Sequence, residues 1–310
     1  MRAIVTGGAG FVGSHVADQL LARGDEVHLV DDLSTGYRDN VPAGAELHEH
    51  DIRVPLGDLF GEIGPEVVFH LAAQADVRVS VDRPDFDAEV NVLGTIRVLE
   101  AARAHETQVV FSSTGGAIYG ETDGPAPETA ERRPMAPYGT SKLCAEEYLA
   151  TFNRLYGTQH VALRYGNVYG PRQKSHLEGG VVAIFMRQLA SGETPTIFGD
   201  GRQTRDFTYV ADIARATLAA AGHDTGVFNI GTGQETSVLE LYDACRRVAG
   251  SDVEPQHAPA RLGELQRNVI DPALAAQELG WRPEHSLEDG LRLTWEAFSS
   301  AQEGAAAERT

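Results

Sequence analysis

A glycine-rich turn between an apolar strand pattern and a helix pattern constrains the fold more than any other feature. Arg2 to Thr6 is a short apolar run, typical of a buried parallel strand. Phe11 to Arg23 carries apolar residues at helical spacing, and Gly24 suits the position just after a helix. Between them lie glycines that permit a tight turn and close approach of a pyrophosphate to free helix N–H groups: Gly7, Gly10 and Gly13. The segment predicts a dinucleotide site.

A carboxylate at the end of the next strand indicates which dinucleotide. The apolar run Glu26 to Val30 ends at Asp31 and Asp32, and Asp31 lies 18 residues past Gly13. A carboxylate there accepts hydrogen bonds from ribose hydroxyls and repels a 2′-phosphate. The pattern therefore predicts NAD as cofactor and disfavours NADP.

Strand and helix patterns alternate over the first 165 residues. After the first two strands come predicted strands at Glu66–His70, Gln108–Ser112 and His160–Tyr165, and predicted helices at Phe86–Ala104 and Pro137–Leu155. This alternation predicts an α/β fold with a Rossmann-type, doubly wound parallel sheet.

A change of composition and of helix length after Tyr165 indicates a second structural unit. Glycine and proline become frequent, and the predicted helices are shorter. We expect residues 1–165 to form the NAD-binding domain, residues 166–310 to form mainly a smaller C-terminal α/β lobe, and about 209–230 to return a strand to the first domain. The boundary is therefore discontinuous.

Composition excludes several classes of partner. The chain has 310 residues, with 26 basic against 45 acidic side chains and a net charge of −19. Nucleic acids and anionic membranes require a basic face, so neither is expected. Two cysteines, the absence of an apolar run near ~18 residues and the lack of a signal-peptide layout predict a cytoplasmic protein without a membrane span.

A tyrosine and a lysine one helical turn apart are the candidate catalytic pair. Tyr138 and Lys142 share one face of a predicted helix. Only two lysines and nine tyrosines occur, so chance predicts about 0.06 such pairs. Lowering the pKa of a tyrosine from ~10 towards neutrality needs roughly 4 kcal/mol, which an ammonium and a nicotinamide cation together could supply.

Hydroxyl groups follow the strand at 108–112, at the sheet edge where ligands bind. Ser112, Ser113 and Thr114 stand there, and a hydroxyl could bond a substrate oxygen beside Tyr138. The choice between Ser113 and Thr114 stays open. His48 and His50 alternate along a predicted strand just before Asp51, and no metal site is predicted there.

Longer motifs carry a family resemblance from Arg2 to about Ala297. The chain resembles the extended short-chain dehydrogenases/reductases of the NAD-dependent epimerase/dehydratase family, and among them the UDP-glucose 4-epimerases. The motifs, in family order, are TGGAGFVGS, VDDLSTG, HDIR, HLAAQADV, NVLGT, SSTGGAIYG, YGTSK, LRYGNVYGPRQ, GDGRQTRDFTYVADIA, FNIGTG and ARLGELQRNVID.

The resemblance implies a set of binding residues. For NAD they are Gly7, Gly10, Phe11, Val12, Asp31, Asp32, Asp51, Ile52, Leu71, Ala72, Ala73, Gln74, Asn91, Ser112, Tyr138, Lys142 and Tyr165. For a UDP- or dTDP-sugar they are Ser113, Thr114, Asn167, Arg205, Arg261 and Asn268. Two arginines suit a diphosphate because guanidinium groups donate in pairs.

The implied reaction is NAD-dependent 4-epimerisation of a nucleotide sugar, of the UDP-glucose/UDP-galactose type, through a transient 4-keto sugar. Tyr138 would be the base, Lys142 its activator and Thr114 a sugar-orienting hydroxyl. In similar enzymes two helices per subunit form a dimer, which here would use the helices near 86–104 and 137–155.

Three departures and three alternatives accompany the resemblance. Ala75 replaces a lysine that some relatives place near the pyrophosphate, and Asn268 replaces a tyrosine thought to exclude N-acetylated sugars. The third departure is that Thr114-Gly115-Gly116 adds a residue compared with the shorter Ser-rich loop of other members. Among the alternatives, a 4,6-dehydratase is disfavoured because similar dehydratases have Asp-Glu directly after the threonine, where this chain has Gly115 and Gly116. A UDP-glucuronate 4-epimerase or decarboxylase and a non-catalytic NAD-binding sensor remain alternatives, and the sugar and the base of the nucleotide stay undetermined.

Overall fold

The structure is a computed structural model that describes residues 1–174, 180–260 and 265–307. Strands and helices alternate through its first part. In chain order they are β1 (Arg2–Thr6), α1 (Phe11–Ala22), β2 (Glu26–Asp31), β3 (Glu46–Glu49), α2 (Gly57–Ile63), β4 (Val67–His70), α3 (Val77–Asp82), α4 (Pro84–Ala88), α5 (Thr95–Ala104), β5 (Gln108–Thr114), α6 (Gly115–Ile118), α7 (Pro137–Tyr156) and β6 (Val161–Tyr165).

Shorter elements dominate the second part of the chain. They are β7 (Asn167–Tyr169), α8 (Val181–Ser191), β8 (Thr196–Phe198), β9 (Thr204–Arg205), β10 (Phe207–Tyr209), α9 (Val210–Ala219), β11 (Gly226–Ile230), β12 (Thr236–Ser237), α10 (Val238–Ala249), β13 (Gln256–Ala258), β14 (Arg267–Asn268), α11 (Ala273–Glu278) and α12 (Leu287–Ala307). Strands of two or three residues are too short for a period-2 pattern, so the sequence does not predict them individually.

A seven-stranded parallel sheet with the order β11-β6-β5-β4-β1-β2-β3 forms the centre of the molecule. Strands β2 and β3 are added on one side of β1, whereas β4 and the later strands are added on its other side, and all of them are parallel. One apolar core packs α1 and α9 on one face, and a second packs α2, α5 and α7 on the other. The predicted Rossmann-type, doubly wound α/β fold is confirmed.

The helix predicted over residues 86–104 is not one α-helix, and this prediction is wrong in detail. Helix α4 leads into a π-helical segment, Glu89–Gly94, before α5 begins. Asn91, inside that segment, donates its amide to the carbonyl of Gln74 at 2.9 Å and to Asp87 Oδ1 at 3.0 Å. A wider helical turn accompanies these side-chain bonds, and π-bulges of this kind are frequent at functional sites.

A smaller lobe lies beyond β6 and has its own apolar core. It contains the strand pairs β7–β10 and β8–β13, the three-stranded sheet β12-β9-β14, and helices α8, α10 and α12. Strand β11 leaves this lobe and pairs with β6 in the main sheet, as the sequence around Val227–Asn229 predicts. In the described ranges, we find no helix that has both the length and the apolarity to cross a bilayer.

Candidate active site

The glycine turn after β1 has room for backbone only. Gly7 has a φ of +69°, and its N–H donates to the Val30 carbonyl at 2.8 Å. A Cβ at Gly7 would lie 2.7 Å from the Ala72 nitrogen, and one at Gly13 would lie 2.1 Å from the Gly7 carbonyl oxygen. Glycine is therefore required at these two positions to hold the turn against the sheet edge.

Helix α1 begins at this turn with its first N–H groups open to a ligand. Gly10 is the N-cap residue in an extended conformation, and no described side chain accepts a capping bond there. Phe11 and Val12, which start the helix, are half-buried. An uncapped helix start above a parallel sheet attracts phosphate oxygens, so this observation fits the pyrophosphate of a dinucleotide.

Asp31 ends β2 beside the glycine turn and is itself buried. Its Oδ2 accepts the Ala9 N–H at 3.0 Å, and its Oδ1 accepts the Leu33 N–H at 2.9 Å. Burial raises the pKa of Asp31 above its usual range. Asp32 differs, since it is exposed and accepts the Ser34 N–H at 3.0 Å and the Ser34 hydroxyl at 2.6 Å. Asp31 therefore faces the turn, whereas Asp32 shapes the following loop.

The predicted adenine contacts follow β3. Asp51 accepts two bonds from the Arg53 guanidinium, at 2.9 and 2.6 Å, and this pairing holds the pKa of Asp51 below its usual range. Ile52 is buried, and its Cδ1 lies 2.7 Å from the site where Gly94 would carry a Cβ. Asp51 is thus a fixed acceptor at the surface, and Ile52 is part of the wall beneath it.

Residues 71–74 form a loop along the sheet edge after β4. The N–H groups of Leu71 and Ala72 both donate to Thr6 Oγ1 at 3.2 Å. Ala73 is half-buried between them and Gln74, whose N–H donates to Asn91 Oδ1 at 3.0 Å. The amide of Asn91 is therefore engaged with this loop, so Asn91 shapes the predicted cofactor site from behind.

Lys142 lies in the second turn of α7 and is buried. Its ammonium donates to the Ser112 carbonyl at 2.9 Å and lies 4.7 Å from the centre of the Phe111 ring. Burial lowers the pKa of Lys142 to about 8, although the charges of Asp87 and Glu146 oppose this shift. The one bond to Ser112 fixes the ammonium at the end of β5.

Tyr138 lies one turn earlier on the same helix and is half-buried. Burial, together with the negative charge of Asp87, raises the pKa of Tyr138 above its usual range. From the sequence, we predict that a neighbouring ammonium and a nicotinamide cation together lower this pKa. Burial and the Asp87 charge thus both oppose ionisation of the Tyr138 phenol in the protein alone.

The two candidate hydroxyls at the end of β5 have different surroundings. Ser113 is buried and donates to Glu146 Oε1 at 2.5 Å. Glu146 in turn pairs with Arg164 at 2.6 Å, and both side chains are 3% exposed. Thr114 is half-buried, and its hydroxyl lies 3.7 Å from the Cβ site of Gly116. The Thr114 hydroxyl therefore lies beside Gly116, close to Asn167, whereas the Ser113 hydroxyl is engaged in the interior.

Asn167 approaches the same space from β7. Its Oδ1 lies 3.4 Å from the Cβ site of Gly116, and this buried oxygen has no hydrogen-bond partner among the described residues. Its backbone N–H donates to the Asp206 carbonyl at 2.7 Å. A buried acceptor without a partner, fixed beside Thr114, is suited to a ligand donor.

Arg205 and Asn268 lie opposite each other on β9 and β14. Asn268 is buried and donates to the carbonyls of Gly115 and Gly120, at 3.3 and 3.2 Å. Arg205 is half-buried and donates to the Thr204 carbonyl at 2.8 Å. Arg261, the other arginine predicted to bind the diphosphate, lies outside the described residues.

The side chain of Tyr165, predicted to contact the cofactor, points elsewhere. Its hydroxyl bonds Thr217 Oγ1 at 2.7 Å within the core between the sheet and α9. Since the ring is buried in that core, only the backbone of Tyr165 at the end of β6 is available to a ligand.

A buried hydrogen-bond network lies behind the site, and the sequence pattern does not predict it. Arg164 donates to Glu146 and, at 2.7 Å, to the hydroxyl of Tyr119, which donates to Asn229 Oδ1 at 2.8 Å. Asp87 is also buried, with Oδ1 bonded to Gln74 and Asn91. The sequence does contain one indication of this network, because Arg164 is a charged residue inside an otherwise apolar strand and so requires a buried partner.

These features define a class of protein: a Rossmann-type α/β enzyme with a dinucleotide turn and a Tyr-x-x-x-Lys pair at the same sheet edge. Comparison with known sequences agrees. The sequence profile described as NAD dependent epimerase/dehydratase family matches residues 3–231. The chain belongs to this family.

Individual relatives cover nearly the whole chain. A UDP-glucose 4-epimerase of Mycolicibacterium smegmatis is 44% identical, over 96% of this chain and 98% of the relative. The structure of a Thermotoga maritima UDP-glucose 4-epimerase with UDP-glucose has a TM-score of 0.95 and 45% identity, over 97% and 100% of the two chains. A Thermus thermophilus UDP-glucose 4-epimerase in complex with NAD has a TM-score of 0.92 and 44% identity, with the same coverage.

Proposed function

We propose that this chain is an NAD-dependent UDP-glucose 4-epimerase, which interconverts UDP-glucose and UDP-galactose. The observation that carries the proposal is that Tyr138, Lys142 and Thr114 share one sheet edge with an uncapped helix start and Asp31. Three full-length relatives that bear this name support it.

The described residues fit NAD. The glycine turn and the start of α1 would hold the pyrophosphate, and Asp31 would accept from a ribose hydroxyl. Asp51 and Ile52 would border the adenine, while the loop 71–74 with Asn91 and the backbone of Tyr165 would border the nicotinamide end. When bound, NAD⁺ supplies a hydride acceptor for C4 of the sugar.

Tyr138 is the proposed base. As phenolate it takes the proton of the sugar 4-hydroxyl, holds it at its oxygen, and returns it when the opposite epimer forms. Lys142 stabilises that phenolate through its positive charge at the end of β5. Thr114, whose hydroxyl lies beside Gly116 and near Asn167, bonds the 4-oxygen and fixes its distance from Tyr138.

Residues of the smaller lobe bind the nucleotide part of the substrate in this proposal. We assign the diphosphate to Arg205 and Arg261, and the sugar to Asn167 with its unpartnered Oδ1. Asn268 is tied to the carbonyls of Gly115 and Gly120, so it limits the pocket by holding the turn after Thr114. The T. maritima relative was solved with UDP-glucose, which supports UDP over dTDP.

The local space after Thr114 disfavours the dehydratase alternative. A Cβ at Gly115 would lie 2.9 Å from two side-chain carbons of Ile270. A side chain at position 115 would therefore require Ile270 to shift, and neither Gly115 nor Gly116 supplies the carboxylates that dehydration requires.

A substrate panel tests the proposal. Purified protein with bound NAD is incubated with UDP-glucose, UDP-galactose, their N-acetylated and uronic counterparts and the dTDP-sugars, and the C4 epimers are separated by chromatography. We expect interconversion of UDP-glucose and UDP-galactose with no net change in absorbance at 340 nm. Turnover of none of these sugars would instead favour an NAD-binding sensor.

The same fold suggests a homodimer through α4–α5 and α7. Large apolar side chains on these elements are exposed, with Leu93 at 50%, Tyr148 at 39%, Leu155 at 68% and Tyr156 at 52%. A dimer that pairs these elements would cover exposed apolar side chains of this kind. Light scattering should therefore give about twice the mass of the 33.3 kDa chain, and a monomer mass would contradict this assembly.

The cysteines suggest where the protein works. Cys144 and Cys245 are both free thiols. Burial raises the pKa of each thiol, so neither is poised to react. We place the protein in a reducing cytoplasm on this ground.

A further inference from the structure

Two histidines and a glutamate meet on neighbouring strands at the edge of the main sheet. His28 lies on β2, and Glu46 and His48 lie two residues apart on β3. The register places Glu46 opposite His28 and His48 opposite Val30, so the three side chains share one face. We name His28, Glu46 and His48 the edge cluster.

The spacing within the edge cluster matches a metal site. His28 Nδ1 lies 3.0 Å from His48 Nε2 and 3.5 Å from Glu46 Oε2, and His48 Nε2 lies 3.9 Å from Glu46 Oε1. Zinc bonds nitrogen and oxygen at about 2.0–2.2 Å, so two ligands at a tetrahedral angle are about 3.3 Å apart. The three distances scatter around this value.

A fourth residue fixes the form of His28 that such a site needs. Glu26 Oε1 accepts from His28 Nε2 at 3.1 Å, and Glu26 in turn pairs with Arg2. With its proton on Nε2, His28 directs the lone pair of Nδ1 towards His48 and Glu46. A carboxylate on the far nitrogen is the usual support of a histidine that binds a metal.

We propose that the edge cluster binds a zinc ion through His28 Nδ1, His48 Nε2 and a carboxylate oxygen of Glu46. Two imidazoles with one carboxylate favour zinc over magnesium or calcium. The fourth position faces solvent, since the side chain of Glu46 is 67% exposed and that of His48 is 20% exposed. His50, adjacent in the sequence motif, is outside the cluster.

The position of the site indicates a structural role. The ion would join β2 to the edge strand β3, and the same two strands lead to Asp31 and to Asp51. His28 precedes Asp31 by three residues, which is roughly 10 Å along a strand. The edge cluster is therefore separate from the residues proposed for catalysis.

Zinc binding by the intact chain tests the inference. Metal-stripped protein is dialysed against zinc, and bound metal and thermal unfolding are measured. We expect about one tightly bound zinc per chain and a higher midpoint of unfolding with zinc present. His48→Gln should weaken binding by about 100-fold or more, whereas His257→Gln, at an exposed histidine on β13, should leave it unchanged.

A second variant keeps the test decisive. Glu26→Gln changes no proposed ligand, yet it should weaken zinc binding by about 10–100-fold because the supporting acceptor is lost. If the edge cluster is only a hydrogen bond between two imidazoles, zinc will not raise the unfolding midpoint. That result, or equal zinc affinity in His48→Gln and the unmodified chain, would overturn the proposal.

Discussion

Ser113 and Thr114 are adjacent in the chain yet leave β5 on opposite sides, as successive residues of a strand do. Ser113 reaches the buried pair of Glu146 and Arg164, and Thr114 reaches the space shared with Asn167. The sequence leaves open whether Ser113 or Thr114 bonds the substrate oxygen, and we therefore assign this role to Thr114.

Substitution separates these two roles. Thr114→Val should lower kcat by about 10²-fold, because it removes a donor to the reacting oxygen. Ser113→Ala should keep activity within a few-fold and cost about 1 kcal/mol of stability, since Glu146 keeps its pairing with Arg164. Steady-state kinetics and urea unfolding of both variants measure the difference. Equal loss of kcat in both variants would contradict the assignment.

Lys142 predicts a pH dependence with a defined sign. Its pKa is lowered to about 8, so the ammonium loses its proton as the pH rises through that value. Since the account requires this positive charge beside the phenolate, kcat should fall above about pH 8. A profile of kcat against pH measures this. A rate that keeps increasing up to about pH 10 would argue against a charged Lys142.

Residues with local partners were predictable from the sequence, and residues with distant partners were not. Tyr138 and Lys142 are one turn apart, and Asp31 follows the glycine turn at a fixed spacing. Glu146 meets Arg164 across 18 residues. No periodicity encodes such a contact, because it depends on how α7 packs on the sheet.

At the scale of elements, the turn between β1 and α1 illustrates how packing fixes a residue type. Gly13 lies in the first turn of α1, directly against the carbonyl of Gly7. The strand, the turn and the helix start are all predictable here, since the apolar run and the glycine spacing are contiguous in sequence.

A pair of glycine variants tests this turn. Gly13→Ala places a Cβ 2.1 Å from the Gly7 oxygen, so it should cost about 1–3 kcal/mol and release bound NAD. Gly57→Ala is the matched control, because nothing lies within 4 Å of its Cβ site at the start of α2. NAD content after gel filtration and the unfolding free energy measure both. Full NAD retention by Gly13→Ala would contradict the assigned turn.

Secondary-structure elements that depend on tertiary contacts could not be predicted from the sequence. The π segment 89–94 accompanies bonds from Asn91 to a loop 17 residues away. The small sheet β12-β9-β14 is built from strands of two residues, held by pairing between distant parts of the chain. Propensity and period do not report such contacts.

At the scale of the whole molecule, the net charge of the chain differs in sign from the local charge of the proposed site. A net charge of −19 is a property of the whole chain and predicts that polyanionic partners are disfavoured. The proposed site is positive only locally, through the start of α1, Lys142 and Arg205. The doubly wound parallel sheet was predictable because strand and helix patterns alternate along the sequence, whereas domain boundaries at 165 and 209–230 remain predictions.

One measurement tests the central claim that Tyr138 is the base of a 4-epimerase. UDP-galactose is supplied to the unmodified protein and to Tyr138→Phe, both verified to hold NAD, and UDP-glucose is quantified by chromatography. The account predicts that Tyr138→Phe loses about 10²–10⁴-fold in turnover while its bound NAD is unchanged, because only the phenolic oxygen is removed. Near-normal turnover in that variant would contradict the account.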